Sequence, residues 1–391
     1  MRSLRSTRLS ATLLLAACGG STTSTAVDAF ADAAADVAAD RATDAALATP
    51  DAAATGTDAA PPSPRTALFS PYKDATIHMN WNTNVISTQV SGVLTPLGAD
   101  LAANGARAVT LAFATGECGA EGWAGVPGET MAAANVAQFD AAGVDYVLSS
   151  GGAAGVFTCG SDAGFEAFLA RWASPHLIGV DFDIEAGQTD AQIDALLDRV
   201  VAARRTHPEL RFSFTLATLA NNNGADSAQS IGALSPSLNV LGLHTLDAVK
   251  SKLGFTGDPA TWPAGVTVNL MTMDYGAPAP GVCVVRQGVC AMGQSALQAA
   301  YNLRDTFGVP FSAIELTPMI GGNDTPGETF TLPDVDAVVA FVRDNALAGL
   351  HFWSYDRDVD CPAGPASATC NSVGDAGAYG FLKRFLAGGS P

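Results

Sequence analysis

Apolar and polar positions change period repeatedly along this chain. Short apolar or alternating runs stand between longer stretches in which apolar residues return every three or four positions. Eight of the runs read as β-strands: Thr76 to Trp81, Ala108 to Thr115, Asp145 to Gly152, His176 to Glu185, Arg211 to Thr218, Val266 to Tyr275, Ala313 to Ile320 and Gly349 to Tyr355. The clearest helices are Asp190 to Arg205, with Ile193, Leu196, Leu197, Val200 and Val201 on one stripe, Gln294 to Thr306, and Asp334 to Asn345. The second and fifth helices are the faintest. A strand followed by a helix, eight times over, predicts an α/β fold: a single parallel (β/α)8 TIM barrel with its chemistry at the C-terminal ends of the strands.

The expected fourth strand carries the main chemical signal. Side chains alternate between two faces of a strand, so Asp181, Asp183 and Glu185 share one face while Val180, Phe182 and Ile184 share the other. The apolar face suits a strand packed against helices. Burying even one unpaired carboxylate costs several kcal/mol, so three in a row have no purely structural purpose. A solvated edge strand is the plain alternative. A calcium loop is opposed by Phe182 and Ile184, where such a loop needs turn residues and a glycine.

Ahead of the barrel, Met1 to Ala17 carries Arg2, Arg5 and Arg8 and then an apolar run from Leu13 to Ala17, too short to span a bilayer. Leu15-Ala16-Ala17-Cys18 resembles the lipobox of bacterial lipoproteins, so residues 1–18 are expected to be a signal peptide ending at a lipidated Cys18. Residues 19–66 are rich in Ala, Asp, Thr and Pro and lack bulk to bury, which predicts a disordered linker with a reach of roughly 35 to 40 Å. Residues 67–391 are enough for one large domain with a full core. A formal net charge of −18 argues against nucleic acid or an anionic surface as partner and is compatible with a neutral polymer. The expected place is outside the cytoplasm, in a bacterial cell envelope as an outer-membrane or surface lipoprotein, or secreted. Membrane contact is expected only through the lipid at Cys18, and the expected state is a monomer. With Cys18 set aside, six cysteines remain, an even number suited to an oxidising compartment. Local pairing joins Cys283 to Cys290 and Cys361 to Cys370, leaving Cys118 and Cys159 after neighbouring strands.

The strand Gly179 to Glu185 resembles the D-x-x-D-x-D-x-E signature of glycoside hydrolase family 18, the chitinases and their relatives, with Ile178 at the place of the first Asp. Ser149-Ser150-Gly151-Gly152 is similar to the family's S-x-G-G motif, although a Gly-rich turn reads the same way alone. Met271-Thr272-Met273-Asp274-Tyr275-Gly276 resembles the sixth-strand motif M-T-Y-D, with Met273 in the Tyr place and Tyr275 displaced beyond the Asp. Pro318 to Asp324 resembles the loop after the seventh strand, and Phe352 to Asp358 the end of the eighth.

The resemblance implies a retaining hydrolase in which the substrate's own acetamido oxygen attacks the anomeric carbon, an exception to the two-carboxylate scheme. Glu185 would be the general acid, Asp183 the stabiliser of the oxazolinium, Asp181 a partner sharing a proton with Asp183, and Tyr275 the group orienting the acetamido carbonyl. Trp353 would floor the cleaved sugar, with Asp274, Met271, Ser150, Asn323 or Asp324, and Trp81 as further substrate contacts. Trp123 and Trp262 are weaker platforms, and Trp172 reads as core. The implied substrate is chitin or another N-acetylglucosamine-containing glycan, with no cofactor. His78, His176, His207, His244 and His351 show no metal-ligand spacing, so no metal is expected. The same acids would serve an endo-acting N-acetylglucosaminidase on N-glycans, and a non-catalytic carbohydrate-binding barrel is the alternative from another class.

Overall fold

A computed structural model of the chain describes residues 67–388 apart from 154, 233–236 and 365. The expected signal peptide, Cys18 and the linker lie outside the described residues.

Eight strand positions form one closed parallel sheet. They are β1 in two pieces (Leu68–Phe69 and Tyr72–Asp74), β2 (Ala108–Ala114), β3 (Asp145–Gly151), β4 (Leu177–Ile184), β5 (Arg211–Ala217), β6 (Val266–Met271), β7 (Ile314–Thr317) and β8 (Gly349–Leu350). Each is followed on the outside by a helix: α1 (Leu97–Ala103), α2 (Gly128–Ala142), α3 (Asp162–Arg171), α4 (Asp190–Thr206), α5 (Val240–Lys252), α6 (Met292–Phe307), α7 (Leu332–Asn345) and α8 (Gly380–Ala387). This is the (β/α)8 TIM barrel that the alternation predicts.

The first strand lies earlier than expected. Thr76 to Trp81 is a run of turns, because Asp74 Oδ1 accepts the Thr76 amide at 2.9 Å and its hydroxyl at 2.7 Å, an Asx-type turn that diverts the chain. The true β1 contains Pro71, which has no N–H to give a ladder. That gap falls where the strand changes partner. Leu68–Phe69 pairs with β8, while Tyr72–Asp74 pairs with β2, and the Tyr72 amide still reaches Phe352 O at 3.0 Å. Strand β6 stops at Met271 rather than Tyr275, since Asp274 adopts φ 50°, which no extended strand allows.

The apolar face of β4 packs outward as expected: Phe182 lies 5.3 Å from Phe214 and 6.1 Å from Phe165, ring centre to ring centre. On α4, Ile193, Leu196, Leu197 and Val200 are buried, and a Thr189/Gln192 capping box starts the helix. Inside the barrel the side chains are polar instead. Near its N-terminal end Glu315 pairs with Arg211 and with His351 at 3.2 Å. Ile178, the residue standing for the missing Asp, sits in an irregularity of β4, since Leu177 and Gly179 pair with the consecutive β3 residues Tyr146 and Val147. Three disulfides join Cys118 to Cys159, Cys283 to Cys290 and Cys361 to Cys370.

Beside the seam of the barrel, Lys73 Nζ lies 2.6 Å from Asp356 Oδ2, both side chains being fully buried. Thr88 Oγ1 donates to the other oxygen at 2.8 Å. Removing one member of a buried pair strands the other charge, so Lys73→Met should destabilise the fold by about 3–5 kcal/mol. Urea denaturation at neutral pH measures this, and adding Asp356→Asn should recover part of the loss.

Candidate active site

The three carboxylates of β4 climb from the barrel interior toward its C-terminal mouth. Asp181 is 1% exposed, Asp183 is 5% exposed, and Glu185, one residue past the strand end, is partly exposed. Register explains what each meets: Asp181 pairs across to Ser149 and Ser213, and Asp183 to Gly151 and Thr215. Gly151 must be glycine, because a Cβ there would stand 2.1 Å from Asp183 O. Gly152 is similarly constrained by the Phe113 ring at 2.8 Å. The Ser-Ser-Gly-Gly stretch is thus more than a loose turn.

Asp181 is saturated with donors. Its Oδ2 accepts from the hydroxyls of Tyr72 at 2.9 Å and Ser149 at 2.6 Å, and its Oδ1 from Ser213 and Thr215, both at 2.7 Å. Tyr72 and Thr215 are held in turn by Asn269 Nδ2, each at 2.9 Å, and Thr317 donates to Asn269 Oδ1 at 2.8 Å. The expected proton sharing between Asp181 and Asp183 is therefore replaced. Asp183 hydrogen-bonds to Glu185, and its Oδ1 has no partner among the described residues.

Burial, and then the charges of Glu185 and Asp181, hold Asp183 well above the usual carboxylate range. Burial pushes Glu185 up to about 7, with the Asp274 charge adding to the rise and hydrogen bonds from Asp183 and the Ala153 amide opposing it. Asp274 is pushed up to about 6, chiefly by burial. Three acids at one mouth thus hold protons more tightly than free carboxyls do.

A cavity of about 180 Å³ opens here. Its lining includes the acids Asp183, Glu185, Asp274 and Asp324 and the apolar side chains Phe113, Trp353, Met271, Met273 and Met319. The Phe113 and Trp353 rings stack with centres 5.5 Å apart and planes 17° from parallel. Such a wall fits the flat apolar face of a pyranose, with the indole N–H as a polar handle. Among the described residues no three His, Cys, Asp or Glu side chains are grouped to hold a metal.

Sequence-named residues divide into two sets. Asp183, Glu185, Asp274, Met271 and Trp353 line the cavity, and Asp181 lies directly beneath it. Tyr275, Ser150, Asn323 and Trp81 do not line it. Tyr275 is buried, its hydroxyl without a hydrogen-bond partner among the described residues, and Met273 takes the cavity position. Ser150 donates to Asp181 O at 3.2 Å. Asn323 is turned into its own loop, donating to Met319 O and Gly321 O, both at 3.1 Å, while its neighbour Asp324 faces the cavity. Trp81 is 58% exposed.

Sequence reasoning did not single out Tyr72, Phe113, Thr215 or Thr317, all of which line the cavity. It also passed over Glu328. That side chain is buried on the loop after β7 and accepts the Tyr275 amide at 3.1 Å and the Gly276 amide at 3.0 Å. Burial pushes Glu328 up to about 7.

The chain is similar to the catalytic domain of the hyperthermophilic chitinase from Pyrococcus furiosus, at 24% identity and a TM-score of 0.59, over 83% of this chain and 95% of that one. A catalytic-site mutant of that thermostable enzyme's active domain 2, complexed with chito-oligosaccharides, gives 23% identity and 0.59 over 83% and 94%. The xylanase and α-amylase inhibitor protein XAIP-II from Scadoxus multiflorus matches at 12% identity and 0.46, over 82% and 98%, too remote to bear on the argument. These likenesses are of fold. No family model and no curated protein matches the chain.

Glu185, Asp274, Glu328 and Asp358, the last pushed up to about 7 by burial, all have raised values. Carboxyls of this kind contribute stability that is full below their ordinary pKa and is lost as pH rises through the folded value. His351, held down to about 4 by burial, acts in the opposite direction below its ordinary pKa. With four groups against one, Tm should fall between about pH 5 and about pH 7.5. Scanning calorimetry across that interval checks it, and a rising Tm would contradict these protonation states.

Proposed function

We propose that this protein is a chitinase-like glycoside hydrolase that cleaves β-1,4-linked N-acetylglucosamine polymers, using the substrate's acetamido group as nucleophile. The observation that carries this reading is the hydrogen-bonded Asp183–Glu185 pair at the mouth, lining one cavity together with the stacked Phe113 and Trp353 rings.

Glu185, partly exposed and protonated near neutrality, delivers its proton to the glycosidic oxygen. The C1–O bond breaks as the acetamido oxygen bonds to C1, giving a bicyclic oxazolinium. Water then attacks C1 and loses a proton to Glu185, which restores the acid and opens the oxazolinium ring. Asp183 meets the acetamido N–H as the cation forms. In the free protein it bonds to Glu185; once Asp183 accepts the acetamido N–H instead, the shared proton stays on Glu185 and is the one delivered to the glycosidic oxygen, and the cation then favours the ionised Asp183. The free Oδ1 of Asp183 is an acceptor already in place. Asp181, fixed by four hydroxyls close beneath the pair, adds to what disfavours ionisation of Asp183.

The displaced Tyr275 supports no direct contact with the acetamido carbonyl. Tyr72 is the phenol lining the cavity, but its hydroxyl proton is committed to Asp181, so it serves as wall and as support for the acids beneath. The reading extends to a protein exported as a lipoprotein and tethered at Cys18 by residues 19–66, acting on polymer outside the cell as a monomer. Its support is the lipobox-like sequence and three disulfides.

Glu185→Gln should retain binding of N-acetylglucosamine oligomers while losing at least about a hundredfold in kcat. Calorimetric binding together with product analysis measures both, and turnover at the parent rate would remove Glu185 from the role. The alkaline limb of kcat/KM should lie near the Glu185 value of about 7, activity falling as pH rises through it. Cellulose and fully deacetylated chitosan should resist cleavage, and a high-mannose glycoprotein assayed beside chitin oligomers separates the N-glycan alternative.

A further inference from the structure

Two loops at the mouth are fastened to each other by carboxylates, and the fastening is reciprocal. From the loop after β6, Asp274 Oδ1 accepts the Thr325 amide at 2.9 Å. From the loop after β7, Glu328 accepts the amides of Tyr275 and Gly276 with one oxygen each, and Asn323 Oδ1 accepts the Asp274 amide at 3.3 Å. Between these brackets Asp274 holds φ 50°, a left-handed conformation that a non-glycine residue keeps only when its surroundings impose it. Asp274 lines the cavity with Glu185, whereas Glu328 is not among its lining residues.

We propose that Glu328 is a positioning residue: by gathering the Tyr275 and Gly276 amides on its two oxygens, it fixes where the Asp274 carboxylate stands relative to Glu185. An amide side chain in its place would offer one acceptor oxygen for two N–H groups. A buried carboxylate facing another acid is an expensive way to hold a loop, which argues for a task beyond holding it. Its consequence is electrostatic. The Asp274 charge disfavours ionisation of Glu185, so the bracket that places Asp274 also governs how far up the pH scale the general acid stays protonated. Facing Glu328 are Asp274 and the Tyr275 phenol; facing Asp274 are Asp324, Glu185 and the Arg357 guanidinium.

The inference deepens the hydrolase reading and rests on it for the role of Glu185, but its test does not need turnover. Glu328→Asp keeps the charge and shortens the reach, so both amides are no longer bridged. Carbon-NMR titration of the Glu185 carboxyl, without substrate, should then show its midpoint several tenths of a unit lower, with the alkaline limb of kcat/KM moving equally. Asp274→Asn should lower it as well, and the double variant should go no further than Asp274→Asn alone, as expected for residues acting in one chain. In the unmodified protein the amide signals of Tyr275 and Gly276 should titrate with one shared midpoint, that of Glu328, which tests the bracket without any substitution. A Glu328→Asp protein with lowered Tm and an unmoved Glu185 midpoint overturns the proposal, as do two amides that do not titrate together. If no glycan is cleaved, the hydrolase reading fails while the titrations still decide the bracket.

Discussion

Four hydroxyl groups converging on Asp181 set the terms for the rest of the site. They come from Tyr72 on β1, Ser149 on β3 and Ser213 and Thr215 on β5, so one carboxylate ties together strands on both sides of β4. A buried carboxyl is tolerable only when its oxygens are fully engaged, and these are. With no acceptor site left over, Asp181 leaves Asp183 to find its partner outward, at Glu185. A polar plug that closes the barrel interior thereby sends the Asp183–Glu185 pair toward solvent.

Above that plug the cleft is lined by acids and apolar side chains together. Aromatic and thioether side chains exclude water, lowering the local dielectric and strengthening the charge interactions within the cavity. Burial and neighbouring charges disfavour the anions of Asp183, Glu185 and Asp274, and Glu185, the least buried of the β4 three, keeps access to bulk solvent. Proton retention near neutrality here is a property of the group of acids, not of one residue.

Strand and helix alternation made the barrel legible in the sequence, and period-two alternation alone put Asp181, Asp183 and Glu185 on one face. The first strand was hidden for a physical reason: Pro71 argues against a strand wherever an amide is needed, and only the switch of partners at that point makes the missing amide harmless. Helix α2 was faint because Ala-rich turns such as Met131 to Ala137 bury small side chains without a marked apolar stripe. At the site, linear motifs located the acids and Trp353 but misjudged Tyr275 and Asn323, since a left-handed turn at Asp274 and the inward fold of Asn323 reassign which neighbour faces the cavity. Tyr72 and Phe113 carried no local signal at all; they reach the cleft because the barrel closes around it.

Closure itself has a bearing on how the chain assembles. The seam between β1 and β8 depends on backbone bonds from Leu68, Ser70 and Tyr72 to Ala348, Leu350 and Phe352, partners from opposite ends of the described chain. Contacts so distant along the chain are slow to form, because a long stretch must be ordered first. While the polypeptide is still emerging from its N-terminus, the outer edge of β1 has no mate, and Tyr72 cannot yet be clamped from that side. The surroundings of Asp183 and Glu185 are therefore complete only once β8 has joined β1 and Trp353 has reached the cleft.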